Sequence, residues 1–227
     1  MDKVSFHVIN HSNASEELLA DLYGLRKEIF SDRLDWRVTT HHGREVDEYD
    51  NASATYLVGL YAGRPLSSLR LINTLNSYMV EGPFRNFFKC KLPKDRSIAE
   101  SSRFFVDKTR SRAMGLNRAP LTEMLLLAMH EHAAGQDLDS IITVVSQAMS
   151  RIVLRAGWRY EVLDIGEASP GEKVLLLNMP VRPENAWSLE QTIASKRRRG
   201  APGTATVDLP SPHTRGQLQT SPRLTAL

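Results

Sequence analysis

A single cysteine, Cys90, is all the thiol chemistry that the 227 residues hold. It excludes an internal disulfide and agrees with a reducing compartment. A lone cysteine is ordinarily a packed or surface thiol, so Cys90 is assigned no role. Long apolar runs are missing as well: nothing approaches the roughly 18 residues needed to cross a bilayer. The opening Met1-Asp2-Lys3-Val4-Ser5-Phe6-His7 lacks the apolar core of a signal peptide. The expectation is a cytoplasmic protein with no membrane partner. Metal-ligand spacings are absent too. His130 and His132 stand two apart in a helical stretch and point to different faces, and His41-His42 has no partner pattern, so no metal is expected. Nor is there a Gly-x-Ser-x-Gly elbow, a phosphate-binding P-loop or an internal repeat.

Charge is present in both signs, 29 Lys and Arg against 26 Asp and Glu, with a pI near 9.1. Its location decides what it means. Residues 1–182 carry 23 of each sign, so the whole excess falls in the last 45 residues, where Lys196-Arg197-Arg198-Arg199 precedes a stretch rich in Pro, Thr, Ser and Gly. That composition buries too little apolar surface to offset chain entropy. Residues 186–227 are therefore expected to be a disordered basic tail behind one domain of residues 1–185. A solvated tail does not make a nucleic-acid-binding module, and no nucleic-acid partner is expected.

Within the domain, helical and strand patterns alternate in the manner of an α/β fold. Leu18, Leu19, Leu22, Leu25, Ile29 and Phe30 recur at helical spacing after the capping residues Asn13 and Ser15. Residues 55–61 and 66–72 flank the turn Ala62-Gly63-Arg64-Pro65 and read as an antiparallel hairpin with Arg70 in its second strand. Residues 98–106 read as a strand, and Pro120 and Gly135 bracket a buried helix. Ile141 to Val145 read as an interior strand, Ser146 caps a helix that ends at Gly157, and residues 160–165 and 174–179 supply two last strands.

Three stretches mix charges and aromatics in ways an ordinary surface does not require. The first runs from Leu25 to Trp36 and holds Arg26 and Phe30 on one helix face. The second is the acidic loop Glu45-Val46-Asp47-Glu48-Tyr49-Asp50. The third is Glu100-Ser101-Ser102-Arg103-Phe104-Phe105-Val106-Asp107, a strand with charges inside an apolar run. Taken singly, Phe30 and Trp36 read as core, Asp47 and Asp50 as turn acids, and Glu100 with Arg103 as a structural ion pair. Taken in order, Arg26, Phe30, Trp36, Asp47, Asp50, Arg70, Glu100 and Arg103 resemble the pattern of the acyl-homoserine-lactone autoinducer synthases over roughly residues 5–180.

The resemblance implies a GNAT-like fold: a mixed, twisted sheet flanked by helices, with a splayed strand pair that admits an acyl-pantetheine arm. It implies acyl transfer from acyl carrier protein to the amine of S-adenosylmethionine, followed by lactonisation and release of methylthioadenosine, for quorum sensing. S-adenosylmethionine is then a substrate, and no cofactor is expected. Its sulfonium, amine and carboxylate call for aromatic faces, carboxylates and arginine. Phe30 and Trp36 suit the sulfonium, Asp47 and Asp50 the cationic portion, and Arg26, Arg70 or Arg103 the carboxylate. Glu100 is the candidate base, because an ammonium has no lone pair for attack. Ser102 and backbone donors near Val145 are candidates for the oxyanion.

The acyl chain is expected against Phe104, Met129, Thr143, Val145, Met149 and Met179. Thr143 resembles a family threonine associated with 3-oxo chains, which implies a 3-oxo-hexanoyl or 3-oxo-octanoyl product. Arg151, Arg155 and Arg159 form a basic edge suited to an acidic carrier protein. The alternative is a GNAT-type N-acyltransferase using acyl-coenzyme A. Such enzymes carry a glycine-rich pyrophosphate loop, whereas Arg110-Ser111-Arg112-Ala113-Met114-Gly115 has one glycine.

Overall fold

The computed structural model describes residues 3–10, 14–36 and 38–199. Its centre is a seven-stranded sheet made of β1 (Ser5–Asn10), β4 (Thr55–Tyr61), β5 (Arg64–Asn73), β6 (Ile98–Val106), β7 (Ser140–Ser146), β8 (Glu161–Ser169) and β9 (Glu172–Pro180). The order across the sheet is β1-β4-β5-β6-β7-β9-β8. A separate two-stranded ribbon joins β2 (Thr40–His41) and β3 (Arg44–Glu45). The hairpin expected between residues 55 and 72 forms, and its turn is tight because Ala62 and Gly63 both take positive φ, 48° and 75°.

The helices are α1 (Glu16–Arg26), α2 (Lys108–Ala113), α3 (Leu121–Gly135), α4 (Gln147–Ala156) and α5 (Pro183–Arg199). The Ser15 hydroxyl accepts from Leu18 N at the start of α1, whereas Asn13 lies outside the described residues. α3 is buried around most of its circumference, as its unbroken Met124–Met129 run requires, and it anchors the core on one face of the sheet with Leu69, Ile141, Trp158 and Leu177. α4 begins at the Ser146 cap and ends at Gly157, whose φ of 111° satisfies the left-handed C-cap. The other face carries α1, packed through Leu22 and Leu25, together with Phe30 just past its end, against Tyr56, Val58 and Phe105.

Three features depart from the expectations. β1 pairs with β4 from Ser5↔Leu60 to Asn10↔Thr55 as an edge strand ahead of the first helix. α1 gives way at Lys27 to a π-helical segment, Lys27–Arg33. The expected disordered tail from residue 186 is instead helical as far as Arg199. Leu189 and Ile193, four residues apart, bury into the α3 core, and Lys196 reaches Glu123 at 2.5 Å. Residues 200–227, the rest of that tail, lie outside the described residues.

The position of the site follows from one irregularity of the sheet. Among the described residues β6 and β7 are the only parallel neighbours, and their ladder holds for three pairs, Ile98↔Ser140 to Glu100↔Ile142. Beyond Glu100 the strands diverge while β7 stays paired with β9 up to Ser146↔Val174. A gap through the sheet results, bordered by Ser101–Val106 on one side and Thr143–Ser146 on the other.

Candidate functional site

A cleft of about 1860 Å³ occupies this gap and reaches both faces of the sheet. Its wall includes Phe30, Trp36, Asp47, Glu100, Ser102 and Arg103 on the α1 side. Phe104, Met129, Thr143, Val145, Met149 and Met179, the residues expected along the acyl chain, also line it. A smaller pocket of about 350 Å³ shares Glu48, Tyr49 and Gly82 with the cleft and contains none of the candidate residues.

Arg26, Asp50 and Arg70 do not line the cleft. They lie beneath it in a closed ionic cluster. Arg26 is 1% exposed and donates Nε to Glu45 at 2.5 Å and its two Nη groups to the two Asp50 oxygens at 2.8 and 2.9 Å. Arg70, fully buried, bridges Asp50 at 2.8 Å and Asp47 at 2.5 and 3.1 Å. Arg103 closes the ring on Glu45 (3.0 Å) and Asp47 (2.7 Å). Three guanidiniums thus face three carboxylates, a balance that makes burial of six charges tolerable. The Tyr56 hydroxyl adds a bond to Asp50 and is itself 3.0 Å from the Tyr23 hydroxyl. Burial alone would raise the Asp50 pKa, but Arg26 and Arg70 outweigh it and hold the carboxyl well below the usual range.

Arg103 joins this cluster because β6 carries a bulge. Between the pairs Ser68↔Phe105 and Arg70↔Ser102, β6 has one residue more than β5, and Arg103 takes φ 54°. Strict alternation would send neighbours Ser102 and Arg103 to opposite faces. With the extra residue, Ser102 Oγ accepts from Arg70 Nε at 3.2 Å while Arg103 reaches the same Asp47 that binds Arg70. Its guanidinium also lies 5.8 Å from the Phe30 ring centroid, and Phe30 stacks on Trp36 at 5.2 Å with the planes 10° apart. Trp36 is half exposed and closes one end of the cleft. Phe30 is presented by the π-helical segment, a form often found at functional sites, and Trp36 lies three residues past its end.

Glu100 is not the ion-pair partner of Arg103 that its spacing suggests. Its oxygens accept the backbone N–H of Met79 at 3.0 Å and of Val80 at 2.9 Å. At 2% exposure, burial lifts its pKa to about 7, against the opposing pull of those two N–H groups and of nearby Arg70 and Arg103. A carboxyl so placed exchanges a proton near neutral pH.

Thr143 stands where the β6–β7 ladder ends, and its hydroxyl donates to the Ser101 carbonyl at 2.9 Å. Alternate residues of β7 past Ile142 turn their backbone groups to the gap rather than to β9. Arg151 and Arg155, on α4, and Arg159 just past it are exposed, and Ile152 between the first two borders the cleft. Asp107, at the end of β6, caps α2 by accepting from Thr109 and Arg110 N–H and pairs with Arg33 at 2.8 Å.

Glu45 is the site residue that the sequence reading passed over, although it lies in the acidic loop. A count of charges does not find it, because the pattern already sets Arg26, Arg70 and Arg103 against Asp47, Asp50 and Glu100; its place two residues before Asp47 is the one signal. The Met79 and Val80 amides carried no sequence signal. Among the described residues, no group of three or more His, Cys, Asp and Glu is placed to hold a metal ion, and no helix is long and apolar enough to cross a membrane. His130 Nε2 lies 2.9 Å from the Arg182 carbonyl, in the α3–α5 packing.

Residues 10–189 match the sequence model of the autoinducer synthase family. The chain is 57% identical over 192 residues to an acyl-homoserine-lactone synthase of Pseudomonas amygdali pv. tabaci, covering 85% of each chain. It is 39% identical over 185 residues to one of Pectobacterium carotovorum subsp. carotovorum, covering 82% of this chain and 86% of that one. Among solved structures the fold resembles the AHL synthase LasI, with a TM-score of 0.75 at 20% identity over 84% of this chain and 96% of that one. It also resembles BjaI, a CoA-dependent acyl-homoserine lactone synthase solved with SAM and isopentyl-CoA, with a TM-score of 0.70 at 24% identity over 92% of this chain and 95% of that one. At these identities the structural likeness concerns the fold.

Proposed function

The chain belongs to the autoinducer synthase family, the acyl-homoserine-lactone synthases, and from that premise we propose that it joins an acyl chain from acyl carrier protein to S-adenosylmethionine. The observation that carries the reading is the cleft through the β6–β7 gap, with Glu100 and Arg103 at its polar end and an apolar wall beyond. In the first step Glu100 takes a proton from the substrate ammonium, directly or through water, and the freed amine attacks the thioester carbonyl. Ser102 and the N–H groups of β7 that turn to the gap are the candidates to hold the oxyanion before the thiolate leaves. In the second step the substrate carboxylate attacks the carbon next to the sulfonium, closing the lactone and expelling methylthioadenosine. The positive sulfur already activates that leaving group, so orientation does most of the work.

Arg103 is the candidate for the substrate carboxylate. Of the three cluster arginines it alone lines the cleft, whereas Arg26 and Arg70 serve to fix Asp47 and Glu45 around it. Phe30 and Trp36 offer their faces to the sulfonium. Two observations support a carrier protein over coenzyme A as donor. The basic edge of Arg151, Arg155 and Arg159 is exposed on and just past α4, the helix whose Ile152 lines the cleft. The N–H groups at the start of α2, which a pyrophosphate would need, are already taken by the Asp107 carboxylate.

The product we infer is 3-oxo-hexanoyl or 3-oxo-octanoyl homoserine lactone. Thr143 reads the 3-oxo group only by exchanging its bond to the Ser101 carbonyl, one acceptor for another, so its discrimination is smaller than a free hydroxyl would give. Mass spectrometry of organic extracts from a bacterium expressing the chain tests the proposal. A 3-oxo acyl-homoserine lactone of six or eight acyl carbons is expected, and extracts holding no acyl-homoserine lactone would overturn it.

A further inference from the structure

Glu100 owes its position to a loop, residues 76–94, that contributes no side chain to its hydrogen bonds. The loop leaves β5 and returns to β6, and its buried run Tyr78-Met79-Val80 lies against Ile72, Ile142 and Leu176. Met79 and Val80 present adjacent N–H groups to the two oxygens of one carboxylate. Such a pair fixes the plane of the carboxyl and favours its charged form. The geometry holds only while the loop keeps both amides pointed at β6.

Tyr78 is the residue that secures it. Its side chain is fully buried, and its hydroxyl donates to the Pro93 carbonyl at 2.7 Å, tying the two ends of the loop together immediately before the amide pair. Lys94 reinforces the closure from outside: its ammonium lies 5.0 Å from the Tyr78 ring centroid, donates to the Asn76 carbonyl at 2.9 Å and pairs with Glu81 at 2.6 Å. Met79, held between these contacts, also places its sulfur 3.4 Å from Arg103 Nη1. The loop therefore touches both charged residues at the polar end of the cleft.

We infer that Tyr78 is a positioning residue for the reaction, acting through the Met79 and Val80 amides to orient Glu100 and keep it ionisable. The inference rests on the reading of Glu100 as the base. The charged and titratable groups facing Glu100 are Arg70 from β5, Arg103 from β6, Tyr49 from the acidic loop and Tyr78 itself. None of the other three changes when the Tyr78 hydroxyl is removed. Loosening the amides withdraws support from the carboxylate, so its pKa rises and the acid limb of turnover moves to higher pH.

The test is the pH profile of kcat for the wild type, Glu100→Gln and Tyr78→Phe, with saturating acyl carrier and S-adenosylmethionine. The wild type is expected to show an acid limb that Glu100→Gln removes together with most of the turnover. Tyr78→Phe is expected to shift that limb upward by roughly half a unit to one unit and to lower kcat at neutral pH several-fold, while KM for S-adenosylmethionine stays within about twofold. The exposed change Lys94→Met, which leaves the buried ring in place, is expected to shift the limb the same way by less, and it carries the test if Tyr78→Phe does not fold. A limb that Glu100→Gln removes but that neither loop variant moves overturns the role of Tyr78 and leaves the base standing. A limb that survives Glu100→Gln overturns the base, and the inference falls with it.

Discussion

Replacing Glu45 by glutamine removes one charge from the buried cluster and leaves its shape nearly intact. Glu45 is fully buried and accepts from Arg26 Nε at 2.5 Å and from Arg103 Nε and Nη2 at 3.0 and 2.8 Å. In the variant, three guanidiniums face two carboxylates, and one positive charge is left without an opposite in a site largely closed to water. Removing one partner of a buried ion pair costs about 3–5 kcal/mol, which for a domain of this size lowers Tm on the order of 10 °C. The exposed pair Lys27–Asp32 (2.8 Å) supplies the control, since Lys27→Met should cost no more than about 1 kcal/mol. Urea unfolding at pH 7.5, followed by far-UV circular dichroism, measures both. The sign with pH is also set: the depressed pKa of Asp50 contributes stability that is present above the ordinary carboxylate pKa and lost as pH falls below about 4. If Glu45→Gln unfolds within about 1 kcal/mol of the wild type at pH 7.5, the cluster is not the electrostatic unit described.

Three further outcomes are expected. Thr143→Val should change the ratio of 3-oxo to fully reduced product by less than roughly threefold, because the hydroxyl already donates to Ser101, and it should cost about 1 kcal/mol of stability; competition between equal amounts of the two donors measures the ratio, and a tenfold change would show a hydroxyl free to read the substrate. Arg151→Glu with Arg155→Glu should raise KM for acyl carrier protein about tenfold, leave KM for S-adenosylmethionine unchanged and weaken the salt dependence; equal KM values for the carrier would place docking elsewhere. Glu131, on α3, has an Oε2 without a hydrogen-bond partner and a pKa raised to about 7 by burial and by Glu190 of α5. A raised acid contributes stability below its ordinary pKa and loses it as pH rises through the folded value, so Glu131→Gln should flatten the fall in Tm between pH 5 and 8; parallel Tm curves for variant and wild type would contradict this.

What the sequence showed and what it hid separate along physical lines. The buried helix α3 was legible because Pro120 and Gly135 bracket an unbroken apolar run, and the β4–β5 hairpin because Ala62-Gly63 meets the demands of a two-residue turn. β1 was not, since an edge strand with exposed His7 and Val8 needs little apolar patterning. α5 has the composition of a tail, because two buried apolar residues, Leu189 and Ile193, hold it in a segment mostly polar and basic. Within the site, the pattern from Arg26 to Arg103 identified residues that the fold does bring together. Their division into a buried ionic base and a cleft wall depended on the bulge at Arg103 and the divergence of β6 from β7. Neither leaves a mark in residue type, so the pairing of Glu100 with backbone amides rather than with Arg103 was beyond reach of spacing alone.

The central claim is that this cleft couples acyl transfer from carrier protein to lactonisation of S-adenosylmethionine. Purified protein given 3-oxo-hexanoyl acyl carrier protein and S-adenosylmethionine, with products quantified by liquid chromatography and mass spectrometry, tests it most directly. The account predicts acyl-homoserine lactone and methylthioadenosine in equal amounts, slower turnover with the matching acyl-coenzyme A, and loss of both products together in folded Glu100→Gln and Arg103→Ala. Product formed without S-adenosylmethionine, or undiminished turnover in both variants, would contradict it.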